Sequence, residues 1–84
     1  MKGYIQKCYE ARIKSAKDNY GHYPDYILVH PAPFQNAVKD MLPEKIYAIF
    51  QFGNGIEKMW GMKVIETTAI DEEFPVCLIE KIKS

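Results

Sequence analysis

Residues 46–68 read IYAIFQFGNGIEKMWGMKVIETT, and the fold turns on how this stretch divides. Ile46, Ala48, Phe50 and Phe52 occupy alternate positions, with Tyr47, Ile49 and Gln51 between them. That is the period of a β-strand. Gly53, Asn54 and Gly55 accept positive φ and predict a hairpin turn. Residues 56–60 then form the returning strand. Gly61 interrupts it, as a bulge or a point of close backbone approach. Residues 62–68 continue as a strand centred on Val64 and Ile65.

Upstream, Ile5, Tyr9, Ile13, Ala16 and Tyr20 recur at steps of four and three, predicting a helix over residues 4–20 with one apolar stripe. Gly21 suits its left-handed cap, and Pro24 blocks resumption. Residues 26–30, Tyr-Ile-Leu-Val-His, are strand formers without alternation, the pattern of a strand covered on both faces. Pro31 breaks the run and Pro33 suits the first position of a second helix. Phe34, Ala37, Val38, Met41 and Leu42 give that helix an apolar face, and Pro43 ends it. Downstream, residues 71–75 read as a turn and 76–82 as the last strand. The order helix, strand, helix and three strands predicts an α+β two-layer sandwich with a mostly antiparallel sheet, a single domain over residues 1–84.

With 84 residues, 48% hydrophobic and 26% charged, the chain has an ordinary globular balance. Eleven basic and eleven acidic residues cancel, which gives no global steering toward nucleic acid and removes one defence against self-association. The distribution is uneven: the first twenty residues are basic and Asp71, Glu72 and Glu73 form an acidic loop. Cys8 and Cys77 stand in no metal or redox spacing; one long-range disulfide is open to them, and two reduced thiols are the simpler reading. The amino terminus lacks the apolar core of a signal peptide, and no run is long enough to span a bilayer, so a cytoplasmic protein is expected.

Residues 24–82 carry a resemblance to the compact, penton-type domain of tailed-phage major capsid proteins. Asp25 through Pro31, followed by a helix containing Phe34, is similar to that family's strand ending in Asn/His-Pro and its succeeding helix. Met59-Trp60-Gly61-Met62-Lys63-Val64 resembles its Leu-Trp-Gly-Leu-Pro-Val segment, with Lys63 where proline is usual. Residues 65–70, the turn, and residues 76–79 resemble its closing strand, turn and strand. The resemblance implies a phage- or prophage-derived structural protein, placed in the host cytoplasm or the virion. Helix 4–20 stands in for the family's spine helix. The chain has no room for the arm, extended loop and second domain that build a shell.

No catalytic constellation emerges. His30 lies at a strand end, but no nucleophile context accompanies it, and a structural hydrogen bond accounts for it. His22 lies in a polar turn. Cys8, Cys77, His22 and His30 match no zinc spacing, and Asp71, Glu72 and Glu73 lack the alternating ligands of a calcium loop. No cofactor, metal or small-molecule substrate is expected. Lys7, Arg12, Lys14 and Lys17 are candidate phosphate contacts, diluted by Glu10 and Asp18. Aromatic residues make up 13% of the chain. If helices cover one sheet face, the other exposes apolar area, with Tyr47, Ile49 and Trp60 as candidate interface residues. The expectation is a non-enzymatic protein that self-associates or binds a protein partner. A nucleic-acid-binding module using helix 4–20 and a ligand-binding domain with a pocket near His30 stand as alternatives.

Overall fold

The computed structural model describes residues 3–80. Helix α1 spans Tyr4–Asp18, and strand β1 spans Tyr26–Val29. Helices α2 (Pro31–Lys39) and α3 (Pro43–Ile49) follow, and then strands β2 (Phe50–Gly53), β3 (Gly55–Met59), β4 (Met62–Glu66) and β5 (Val76–Leu78). The strands form one sheet in the order β2-β3-β4-β1-β5. Every pairing is antiparallel except β1 with β4, which run parallel. The class is α+β, a helical layer against a mostly antiparallel sheet.

Local chemistry fixes the boundaries. Helix α1 ends where Tyr20 and Gly21 both turn left-handed, at φ 56° and 84°. The Gly21 N–H then donates to the Ala16 carbonyl at 2.7 Å, closing the last turn. Pro31 and Pro43 open α2 and α3, where a missing N–H costs nothing. Leu42, held extended ahead of Pro43, separates the two helices.

The expected strand over residues 46–52 is therefore corrected. Ile46, Ile49 and Phe50 also satisfy a helical i, i+3, i+4 spacing, and Pro43 with Glu44 in the first turn starts a helix there. Only Phe50 onward is strand, so Tyr47 and Ile49 belong to α3 and not to a sheet face. The Gly61 bulge is also corrected. Trp60 and Gly61 have φ 48° and 82°, making a tight two-residue turn that joins β3 to β4 as separate antiparallel strands. A bulge exists elsewhere, at the register shift between Gln51 and Phe52. The final strand closes at Leu78, and the end of its expected range, residues 81–82, lies outside the described residues.

The core is one cluster. Tyr4 and Cys8 of α1 and Phe34 of α2 pack on Ile27, Val29, Phe50, Met59 and Met62 of the sheet. Phe34 is 2% exposed and meets both Tyr4 and Phe50 edge to face, with centroids 6.5 and 6.0 Å apart. The buried face of α1 thus runs through Tyr4, Cys8 and Ala16. Of the expected stripe, Ala16 is buried and Ile5 packs against the core, but Tyr9 is half exposed and Tyr20 fully so. One hydroxyl ties the layers together. The His30 backbone N–H, at the junction of β1 and α2, donates to Tyr4 Oη at 2.9 Å.

Candidate functional site

Side chains alternate across a strand, so the register assigns each one to a sheet face. Ile27 and Val29 are fully buried beneath the helices, while Tyr26 and Leu28 point the other way and remain half exposed. Ile65 of β4 and Val76 of β5 both pair with Leu28 and share its face. Lys63 and Leu78 both pair with Tyr26, and Lys58 pairs with Lys63. Two rows result: Ile65–Leu28–Val76, and beside it Lys58–Lys63–Tyr26–Leu78. Ile65, Val76 and Leu78 are 37%, 38% and 44% exposed. None of Ile65, Leu28, Val76 and Leu78 belongs to the core that the helices cover, and the face is open apart from a depression at its edge where Val76 lies beside α1. The expectation that β1 is covered on both faces is corrected accordingly.

Charge marks the rim of the face. Glu80, just past β5, accepts a hydrogen bond from the Tyr26 hydroxyl at 3.3 Å. The Glu80 carboxylate, by its charge first, raises the Tyr26 phenol above its usual range. The Glu80 backbone N–H donates to Asp25 Oδ2 at 2.9 Å, fixing the chain as it leaves β5.

The candidate interface residues sit elsewhere. Tyr47 is 76% exposed on α3, with its ring against Phe52 at 5.8 Å. Trp60 packs edge to face on Tyr9 at 5.3 Å, and its backbone N–H donates to the Ile49 carbonyl at 2.9 Å. Ile49 and Trp60 are thus neighbours at the margin of the core, and Tyr47 stands apart.

The basic residues of α1 divide too. Lys7 lies over the Phe74 ring at 5.3 Å and Arg12 over the Tyr23 ring at 4.1 Å. Lys14 and Lys17 border a shallow depression that also holds Glu10 and Asp18.

His30 caps α2 with its backbone, and its buried Nδ1 has no partner among the described residues. His22 is exposed, its N–H bonded to the Asn19 carbonyl. Burial pushes the Cys8 thiol up to about 12 and the Cys77 thiol up to about 11. Asp71, Glu72 and Glu73 are all exposed, and the Glu73 N–H donates to Asp71 Oδ1 within the loop. Among the described residues no three His, Cys, Asp or Glu side chains gather to hold a metal. Nor is any helix long and apolar enough to cross a membrane.

On the helical side, a groove of about 590 Å³ lies between α2 and the β2–β3 hairpin. Phe34, Val38, Ile46, Ile56 and Val64 floor it, with Lys39 and Glu66 at its edge. Glu66 Oε1 accepts the Gln35 amide at 3.3 Å. The groove thus offers apolar contact with few polar groups.

The residues expected on an open sheet face lie off it: Tyr47 and Ile49 are on α3 and Trp60 is in the β3–β4 turn. The signal was present in residues 26–29, an unbroken apolar run of which only alternate members reach the core. No family model, curated protein or solved structure matches the chain.

Proposed function

We propose that this chain is a non-enzymatic structural protein that works by burying its open sheet face against another protein. One observation carries the reading. Tyr26–Val29 has the composition of a strand covered on both sides, yet the described residues cover only one. Exposed Ile65, Val76 and Leu78 beside half-exposed Leu28 form a continuous patch, whereas scattered apolar residues would carry no such meaning.

The resemblance to the compact domain of tailed-phage capsid subunits supports the same reading. Its segments are β1 with Pro31, the turn at Trp60 and Gly61, and the strands flanking residues 67–75. A phage- or prophage-derived subunit that assembles with, or decorates, something larger has a use for such a face. A shared fold would not by itself assign a shell-forming role.

The test is a photo-crosslinking amino acid at position 65, introduced in cells that naturally make the chain. Position 36, exposed on α2, is the control. Discrete protein adducts at 65 and none at 36 are expected. Absence of any protein adduct at 65 overturns the reading.

A further inference from the structure

The open face carries its charge unevenly about β1. Lys58 and Lys63 lie on the β4 side, directly opposite each other in the register. Like charges so placed destabilise a strand pair, and neither lysine meets a carboxylate among the described residues. Glu80 lies on the β5 side. β4 and β5 flank β1, one strand to either side.

We infer that a second copy of this chain covers the face, related by a two-fold axis running close to the direction of β1. This rests on reading the open face as a protein-binding surface. Rotation about that axis exchanges β4 with β5 and sets β1 over β1. Leu28 then meets Leu28 of the second copy. Ile65 falls on Val76 of the second copy, because both are level with Leu28. Lys63 is level with Leu78, so its methylene stem lies over Leu78 of the second copy. Its ammonium reaches toward Glu80 of the second copy, two residues further on. The two-fold axis makes each contact twice.

Other placements fit worse. An axis over β4 stacks Lys63 on Lys63. An axis over β5 leaves Ile65 and both lysines beyond the partner's edge. Face-to-face sheets align within about 30°, which this axis accommodates. Three strand spacings by the rise of about four residues give a footprint of about 200 Å² per copy, roughly a quarter of that of a standard interface. The pairing is therefore weak and concentration-dependent.

The experiment is sedimentation velocity with light scattering on the full chain, from micromolar to millimolar, at low salt. Wild type should rise from monomer to dimer mass and stop there. Lys63→Glu and Glu80→Lys should each weaken dimerisation about tenfold or more by setting like charges together. The double variant Lys63→Glu/Glu80→Lys should recover it. Circular dichroism confirms that each variant is folded. A wild type that stays monomeric overturns the arrangement, as does open-ended growth or a double variant no better than its parents. Crosslinks from position 65 in those cases still decide whether the face binds a different protein.

Discussion

Removing one oxygen atom tests how the helical layer is held to one side of the sheet. Tyr4 is 7% exposed, and its hydroxyl accepts the His30 N–H at 2.9 Å, a bond between residues 26 apart in sequence. Tyr4→Phe keeps the ring and its edge contact with Phe34, so no cavity opens. What is lost is the acceptor. An orphaned buried donor costs about 1–3 kcal/mol, and because this bond is only part-buried the lower half, about 1–2 kcal/mol, applies. A chain of 84 residues has about 4–13 kcal/mol in total, so the loss is a sizeable share. The melting temperature should fall by about 5–15 °C. Urea unfolding followed by circular dichroism measures it, with the midpoint lowered and the slope unchanged. An unchanged midpoint would show that this hydroxyl does not join the layers, and the account of why one face alone is covered would lose its clamp.

Tyr20→Gly should stabilise the chain, raising the melting temperature by a few degrees. Tyr20 is fully exposed at φ 56°, so glycine relieves left-handed strain and gives up no packing, at a smaller entropic cost. A lower melting temperature would mean that the ring does more at this cap than its exposure indicates. Stability should also decline at alkaline pH. Cys8 and Cys77, ordinarily near 9.0, are pushed up to about 12 and about 11, chiefly by burial. Tyr4 is raised as well, by burial and against the lowering effect of the His30 N–H. Groups raised in the fold lend stability that is whole below their unfolded values and is lost as pH climbs through the folded ones. Unfolding free energy should therefore fall between about pH 9 and 12, less steeply in Cys8→Ala. A flat profile across that window would contradict the burial of both thiols.

Much of the layout is readable in the sequence because single residues carry backbone instructions. Gly21 marks the end of α1 and Gly53 to Gly55 a hairpin turn, while α2 starts at Pro31, two residues ahead of the expected Pro33. The failures come where one pattern serves two structures. Ile46, Ile49 and Phe50 fit a helix and a strand alike, and no side chain caps α3 to break the tie. Trp60 is not a residue that announces a left-handed turn, so the β3–β4 hairpin reads as one interrupted strand. The stripe of α1 is displaced because Tyr9 and Tyr20 are apolar enough to join it but reach Trp60 and solvent respectively.

The site follows the same logic. An apolar run over residues 26–29 suits a strand covered on both faces, whereas the described residues bury only Ile27 and Val29. Periodicity cannot separate cover by the chain's own helices from cover by another molecule. Only the register, with Ile65 and Val76 flanking Leu28, identifies the uncovered residues. Tyr47, read as their representative, lies instead on α3 beside Phe52.

Solvent exposure of individual methyl groups reports most directly on that face. A soluble paramagnetic agent bleaches the methyl signals it can reach, measured by NMR across a concentration series. As concentration rises, Leu28, Ile65, Val76 and Leu78 should become shielded, while Val38 and Ile56 in the groove on the helical side stay as they were. Face methyls bleached equally at every concentration, or shielding that appears in the groove instead, would contradict the pairing of two copies through this face.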